Sequence, residues 1–274
     1  MKSFFATLAV SSLLAVVSLG HASADSTLDR VIASKKLRCG AMLDNPPSGF
    51  RNQQGKPDGF DVAYCKDMAK VLGAEAEIVE TPSPDRIPAL VSKRIDVLIA
   101  GTTATAQRGL SVAFTQPYVN YTTIVVTRKG ANIKSYADLK RAKLGGVTGT
   151  TTEQLLNSEI DKGWKSSGAA YYSFANDTDA YMALQQGKVD AILQSAVVYN
   201  ALHQSGQFPE FESAGLAPLN DLAAIAVLRD DQLFLNWAKL FVFQQVSSGR
   251  FAELYKQYFG NGEIPPLTAS GVSY

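Results

Sequence analysis

The stretch from residue 86 to residue 108 constrains the fold most, because it places a helix, a buried strand and a polar turn in close succession. Apolar residues at helical spacing predict a helix that ends near Lys93, and the apolar run 97–100 is typical of a strand buried in a parallel sheet. Gly101 breaks the run, and the segment 105–108 predicts the start of another helix. The unpaired N–H groups and the dipole at a helix N-terminus attract anions. This order therefore predicts an anion-binding turn.

Two side chains add to this predicted anion site. The hydroxyl group of Thr103 is a hydrogen-bond donor, and the planar guanidinium of Arg108 matches a carboxylate bidentately. An alternative stays open, in which the threonine only caps a helix and the arginine only lies on the surface.

Residues 144–153 repeat the arrangement of strand, turn and helix. The run 144–147 is apolar, a Thr-Gly turn follows, and the spacing from Thr150 to Glu153 is that of a capping box that opens a helix. If each of the two units belongs to its own lobe, their helix N-termini face each other across a cleft and can close on one anionic group.

The chain as a whole alternates strands with helices, which predicts an α/β fold with mostly parallel sheets.

The apolar run 4–19 and the small residues 22–24 predict a signal peptide that is cleaved after Ala24. Losing Lys2 reduces the 26 lysine and arginine residues by one and so balances the 25 acidic residues. This balance argues against a nucleic-acid partner.

The predicted mature chain has little material for a metal site or a histidine-based catalytic triad, because His203 is its only histidine. Its two cysteines, Cys39 and Cys65, fall on a strand and on the following helix, in a chain predicted to reach an oxidising compartment. A disulfide and two separately buried thiols both stay open, and the pattern favours the thiols.

Eight short segments occur in the order that is found in one protein family. They are Gly59-Phe60-Asp61, Arg86-Ile-Pro-Ala-Leu90, Ile95-Asp96-Val97, Phe114-Thr-Gln-Pro-Tyr118, Ala137-Asp-Leu139, Gly149-Thr150-Thr151, Gly187-Lys-Val-Asp-Ala191 and Tyr258-Phe-Gly260. On these segments the chain resembles the periplasmic solute-binding proteins of the polar amino-acid ABC-uptake family. The resemblance implies a two-lobe α/β fold, each lobe a mostly parallel sheet flanked by helices, with a two-strand hinge.

The resemblance also implies a domain plan and a role. Residues 1–24 are expected to be the signal peptide, 25–120 and 217–274 the first lobe, and 121–216 the second. The implied protein is a periplasmic monomer that captures an amino acid or a related small carboxylate and delivers it to an ABC permease in the inner membrane. No cofactor, metal or nucleic acid is implied. The competing class is an enzyme of the same fold, such as a cyclohexadienyl dehydratase, which needs a general acid in the cleft.

Site residues carry over from the resemblance position by position. Thr103 and Arg108 match the family's carboxylate-binding positions in the first lobe, and Gly101 matches a position whose backbone contacts the ligand. Thr150 and Thr151 match the contribution of the second lobe.

The ammonium position departs from the family, because Ser195 stands where an Asp commonly pairs with the ligand's ammonium. An ammonium that is buried without a carboxylate partner is costly. Either another acid takes this place, with Asp177 and Asp44 as the candidates, or the ligand has no primary ammonium.

Arg86 raises the question of an acidic ligand. The segments around it look closest to the glutamate/aspartate-binding branch, in which the matching arginine reaches the ligand's side-chain carboxylate. A second arginine of that branch falls at Met42 here, so the match is partial. Many family members also carry an arginine at the position of Arg86, so a structural role stays open as well. Family members also carry ligand-stacking aromatic residues near Asn45 and Ser83. Because both are absent here, either the site is more polar or aromatic residues come from elsewhere in the chain.

Overall fold

The computed structural model describes residues 26–268, so the predicted signal peptide lies outside the described residues. The α-helices in chain order are α1 (Thr27–Ser34), α2 (Phe60–Val71), α3 (Arg86–Val91), α4 (Thr151–Lys162), α5 (Asp177–Gln185), α6 (Ala196–Ser205), α7 (Gln232–Ser247) and α8 (Arg250–Phe259). The strands are β1 (Lys36–Ala41), β2 (Asp44–Asn45), β3 (Gly49–Arg51), β4 (Pro57–Asp58), β5 (Glu75–Glu80), β6 (Val97–Leu98), β7 (Val112–Arg128), β8 (Lys143–Val147), β9 (Ala170–Phe174), β10 (Ala191–Ser195) and β11 (Phe211–Leu228).

Two long strands join the two halves of the main sheet, whose order is β5-β1-β6-β11-β7-β10-β8-β9. In one half β1 pairs in parallel with β5 and β6, and in the other half β8 pairs in parallel with β9 and β10. The long strands β7 and β11 run antiparallel to each other through both halves. The protein therefore has two lobes, each with a mostly parallel sheet, and two crossing strands, which confirms the predicted fold class.

Each lobe has its own apolar core. Lobe 1 contains β1–β6 with α1–α3, and α7 and α8 pack on it from the C-terminal end of the chain. Lobe 2 contains β8–β10 with α4–α6. The predicted boundaries after residues 120 and 216 fall inside β7 and β11, which belong to both lobes, and these boundaries stay a prediction. Within residues 26–268, no helix has both the length and the apolar character needed to cross a membrane.

The two cysteines form a disulfide between β1 and α2, so the expectation of two separate thiols was wrong. Their Cα atoms are 6.1 Å apart, within the range that a disulfide spans. The sequence pattern predicted that both residues lie on apolar faces that pack into the same core. It does not give the distance between those faces. The bond ties the first strand of lobe 1 to the helix that covers it.

We expect the disulfide to stabilise lobe 1 without contributing to the site. Replacing Cys39 and Cys65 by alanine removes a cross-link between residues 26 positions apart. In the chain-entropy account, this loss lowers the free energy of unfolding by about 3.5 kcal/mol. Urea unfolding of the wild type, the double variant and the reduced wild type measures the effect. The reduced wild type keeps both side chains, and equal stability of its oxidised and reduced forms would contradict the prediction.

Candidate ligand-binding site

A polar cavity of about 80 Å³ lies between the two lobes. Both lobes and both crossing strands contribute to its wall. Of the residues predicted for the site, those that line it are Arg86, Gly101, Thr103, Thr150, Thr151, Asp177 and Ser195. Arg108 and Asp44 are not among the lining residues, although both contact residues that are.

The first predicted helix N-terminus is absent from the turn at Gly101, and this expectation was wrong. Residues Arg108–Leu110 form only a single 3-10 turn before β7 begins. The hydroxyl of Thr105 accepts the N–H of Arg108 at 3.2 Å, and Gly109 follows at once. A glycine in that position and the few residues left before the strand prevent a longer helix. Thr103 instead forms an isolated bridge with Ala223 of β11.

The second predicted helix N-terminus is present at α4. Thr150 is the N-cap residue, and its hydroxyl accepts the N–H of Glu153 at 3.1 Å. The Glu153 carboxylate reaches back to the N–H of Gly149 at 2.7 Å, one residue earlier than in a regular capping box. The N–H groups of Thr151 and Thr152, at the start of the helix, have no partner inside it. Both residues line the cavity, so the anion-binding end of a helix faces it.

Arg108 connects the two loops behind the cavity. Its Nη1 donates to the carbonyl of Thr103 at 2.8 Å, and its Nη2 donates across the cleft to the carbonyl of Gly149 at 2.7 Å. Burial, together with the nearby positive charge of Arg86, lowers the pKa of Arg108 to about 10, so the group is cationic at neutral pH. These two hydrogen bonds therefore hold the loop at Thr103 and the loop at Gly149 together.

Arg86 is 5% exposed, and the protein itself satisfies most of its donors. Nε donates to the carbonyl of Ser83, and Nη1 donates to the carbonyls of Ala100 and Gly101 at 3.0 and 3.1 Å. Nη2 donates to the hydroxyl of Ser83 at 2.6 Å. These bonds favour the structural reading of Arg86, in which it fixes the backbone of the turn at Gly101.

Two further carboxylates, which the sequence analysis missed, line the cavity. The hydroxyl of Tyr118 donates to Asp61 at 2.7 Å and accepts the N–H of Gly101 at 3.1 Å. The hydroxyl of Thr103 donates to Asp221. Burial raises the pKa of both carboxyl groups, that of Asp61 to about 7. The sequence signal that could have identified Asp61 is its place in a family-like segment. For Asp221, the signal is an acidic residue within an apolar strand.

Asp177 and Asp44 meet across the cleft, one from each lobe. The N–H of Asp177 donates to the Asp44 carboxylate at 3.4 Å, and the side-chain amide of Gln194 donates to the Asp177 carboxylate at 3.1 Å. Burial and then the charge of Asp44 raise the pKa of Asp177 to about 7. Burial also raises the pKa of Asp44. The negative charge of Asp44 beside the buried Asp177 carboxyl group favours a cation, or a proton, between the lobes.

Two neutral polar residues complete the wall. Ser195 lines the cavity at the end of β10, next to Gln194. Asn45 also lines it, and its Oδ1 is buried without a hydrogen-bond partner among the described residues.

Direct contacts between the lobes show that they are closed on each other. The hydroxyls of Thr103 and Thr151 lie 3.4 Å apart, and Arg108 donates to the carbonyl of Gly149 across the cleft. The same lobes also meet at the Asp44–Asp177 hydrogen bond. No group of three or more His, Cys, Asp or Glu side chains suited to a metal ion occurs between residues 26 and 268.

We expect the stability of the ligand-free protein to fall between about pH 4 and about pH 7, because Asp61 and Asp177 have raised pKa values. In this window the folded state keeps protons that the unfolded chain has already lost, so raising the pH disfavours folding. Urea unfolding at both ends of the window measures the slope. An Asp61→Asn/Asp177→Asn variant should show a smaller slope. The exposed Asp161→Asn variant is the control, and a wild-type slope in the double variant would contradict the assignment.

Comparison with known proteins agrees with the two-lobe fold. The family described as bacterial extracellular solute-binding proteins, family 3, matches residues 37–261. The ABC transporter glutamine-binding protein of Bacillus subtilis is 30% identical over 276 residues, covering 94% of this chain and 97% of that protein. The L-cystine-binding protein of Escherichia coli is 31% identical over 192 residues, covering 68% of this chain and 70% of that protein.

A solved structure gives the same result at the level of the fold. An ancestral arginine-binding protein bound to arginine aligns with a TM-score of 0.76 and 31% identity. The alignment covers 82% of this chain and 99% of that one. The chain therefore belongs to family 3 of the bacterial extracellular solute-binding proteins.

Proposed function

We propose that this protein is the periplasmic, amino-acid-binding component of an ABC uptake transporter. It is exported with a cleaved signal peptide, acts as a monomer, and presents its closed lobes to a permease in the inner membrane. The observation that carries the proposal is the polar cavity between two closed lobes in a chain of this family. A thermal-shift screen of amino acids on unfolded and refolded protein tests it, since a ligand at a thousand times its Kd stabilises the protein by about 4 kcal/mol.

The ligand's carboxylate lies at the N-terminus of α4. There the N–H groups of Thr151 and Thr152 point outward from the helix, and the helix dipole favours a negative charge. The hydroxyl of Thr103 lies on the opposite lobe, 3.4 Å from that of Thr151. Arg108 adds a positive charge behind this subsite and holds the two loops at the correct separation.

The ligand's ammonium lies at Asp177. Gln194 holds the carboxylate in place, and Asp44 adds a second negative charge from the opposite lobe. This arrangement replaces the aspartate that the family commonly has at the position of Ser195. The ligand therefore keeps its primary ammonium.

The charge balance of the cavity disfavours an acidic ligand. Its lining residues include three carboxylates, Asp61, Asp177 and Asp221, against one guanidinium, Arg86. The donors of Arg86 are mostly committed to Ser83 and to backbone carbonyls. A second carboxylate on the ligand would gain little from this arginine and would be repelled by the aspartates. We therefore assign a zwitterionic ligand in preference to glutamate or aspartate.

The mechanism is ligand-stabilised closure. In an open form the carboxylate subsite of lobe 2 and the turn at Gly101 in lobe 1 face solvent separately. The ligand contacts both, so it shifts the population toward the closed form by its differential affinity. The permease then recognises the two lobes in one fixed relative orientation.

This role needs no chemistry on the ligand, and the relatives reported above are named as binding proteins rather than as enzymes. Incubation with prephenate and arogenate should give no product.

Replacing Asp177 by asparagine should weaken amino-acid binding by about ten- to a hundredfold, because a charge-assisted hydrogen bond to a buried group is lost. Asparagine keeps an oxygen that can accept from Gln194, so the fold should be retained. Wild-type affinity should also rise as the pH approaches about 7, because the ammonium binds the ionised carboxylate. In the variant this rise should be smaller.

Titration calorimetry in two buffers of different ionisation enthalpy measures both the affinity and the proton release. The deaminated analogue of the ligand is the control, since it cannot contact Asp177 through an ammonium. An Asp177→Asn variant that binds the amino acid like the wild type would place the ammonium elsewhere.

Replacing Arg108 by alanine should weaken binding by about tenfold or more, because the hydrogen bond to Gly149 across the cleft and the adjacent charge are both lost. Lysine should restore the affinity only in part, because it lacks the planar fork that bonds two carbonyls at once. Calorimetric titration with the best ligand measures both variants. Arg229→Ala is the matched control, because Arg229 donates to the carbonyl of Leu110 within lobe 1. Equal effects at both positions would refute a specific role for Arg108.

A further inference from the structure

We propose that Tyr181 is a positioning residue for the ligand's ammonium. It does not line the cavity, and it acts through the carboxylate of Asp177, which does. This inference rests on the proposed function, which places the ammonium at Asp177, and it adds the residue that orients this carboxylate from behind. The hydrogen bonds of the Tyr181 hydroxyl and the packing of its ring carry the inference.

Tyr181, Gln194 and Asp177 form a closed triangle of hydrogen bonds. Asp177 begins α5, Tyr181 lies one turn later on the same face, and Gln194 lies on β10. The side-chain nitrogen of Gln194 donates to the Tyr181 hydroxyl at 2.7 Å and to Oδ1 of Asp177 at 3.1 Å. The Tyr181 hydroxyl donates to the same Oδ1 at 3.5 Å. The triangle therefore directs two donors at one carboxylate oxygen.

The orientation of the Gln194 amide fixes the direction of these hydrogen bonds. Its oxygen, Oε1, accepts the N–H of Ser195 at 2.7 Å, so its nitrogen faces Tyr181 and Asp177. A phenol hydroxyl has a single hydrogen. Because the Tyr181 oxygen accepts from Gln194, this hydrogen remains for Asp177. The hydroxyl thus accepts on one side and donates on the other.

The apolar core of lobe 2 holds the Tyr181 ring in place. The residue is 3% exposed, and its ring makes edge contacts with Phe208 and Phe211, with centroids 5.7 and 6.4 Å away. The two phenylalanine rings stack on each other at 4.8 Å. A buried hydroxyl that leaves its partners is costly. The packing therefore sets the place of the hydroxyl without any contact to the ligand.

The network leaves the other oxygen of Asp177 for the ligand. Both side-chain donors are on Oδ1, and Oδ2 has no hydrogen-bond partner within residues 26–268. Asp177 lines the cavity, so an ammonium there finds an acceptor that the protein does not use. Binding of this kind displaces neither Tyr181 nor Gln194.

The same hydrogen bonds favour the charged form of Asp177. Burial and the charge of Asp44 on the facing lobe raise the pKa of Asp177 to about 7, while the charge of Arg86 and the bonds from Gln194 and Tyr181 act in the lowering direction. Burial raises the pKa of Tyr181 well above its ordinary value, so its hydroxyl stays a donor at neutral pH. Without this hydroxyl, Asp177 would keep its proton to a higher pH.

Replacing Tyr181 by phenylalanine removes the hydroxyl and keeps the ring. Titration calorimetry with the amino acid that binds the wild type best, between about pH 5.5 and about pH 8, measures the effect. We expect about three- to tenfold weaker binding at the lower pH, because one hydrogen bond to a buried charged group is lost. The deficit should shrink toward the higher pH, because Asp177 is then ionised in both proteins. Damaged packing alone would lower the affinity equally at every pH.

Further variants show whether the effect passes through Asp177. In the Asp177→Asn background, Tyr181→Phe should change the affinity by less than about twofold at every pH, because no ionised carboxylate remains. Tyr136→Phe is the matched control and should bind like the wild type, since the buried Tyr136 hydroxyl of lobe 2 has no partner among the described residues. Gln194→Met removes the other donor to Oδ1 and should reproduce the pH-dependent deficit.

Three results would overturn the inference: wild-type binding by Tyr181→Phe, a deficit that is the same at every pH, or an equal deficit in the Asp177→Asn background. In each case the wild type still binds its amino acid, so the proposed function stands. If Tyr181→Phe does not fold, the absence of a pH-dependent deficit in Gln194→Met overturns the inference instead. If the wild type binds no amino acid, the proposed function fails, and the inference fails with it.

Discussion

The antiparallel pairing of β7 with β11 is the interaction on which the rest of the structure depends. These strands span residues 112–128 and 211–228, and they lie in the middle of the main sheet, with β6 beside β11 and β10 beside β7. They also carry Tyr121, Thr123 and Asp221 to the cavity wall. The register between them shifts several times from residue 213 to residue 226. Such irregularities weaken the ladder and allow a bend, as a hinge between two rigid lobes requires.

The second constraint is the burial of charge at the point where the lobes meet. A guanidinium and several carboxyl groups lie in a small volume, and burial raises the pKa values of the carboxyl groups. Closing the lobes brings Asp44 and Asp177 together, which costs free energy unless a proton or an ammonium lies near them. In the proposed binding mode, the carboxylate of the same ligand lies near the positive end of the dipole of α4 and near the charge of Arg108. In this mode, one zwitterion therefore satisfies both ends of the cavity at once.

The fold was predictable because its signals are local and repeated. Short apolar runs followed by glycine predicted β6 and β8, and the capping pattern at Thr150 predicted the start of α4. The helix predicted after Thr105 did not form, because Gly109 and the start of β7 leave it too few residues. The disulfide between Cys39 and Cys65 needed a distance that periodicity does not supply.

The site was predictable in part, for a related reason. The threonines and Asp177 line the cavity, and their role as ligand contacts stays a prediction. Asp61 and Asp221 lie within elements, and only the packing of Tyr118 and Thr103 reveals their direction. The two arginines that were predicted to bind the ligand have different positions and contacts in the structure. Arg86 lines the cavity but mostly bonds the backbone, while Arg108 holds the loops from behind.

The most direct test of the central claim is a crystal structure of the protein with its tightest amino-acid ligand. We predict the ligand between the closed lobes, with its carboxylate on the N–H groups of Thr151 and Thr152 and its ammonium on Asp177. A ligand bound in the reverse orientation, or one that leaves Asp177 without an ammonium contact, would contradict this account.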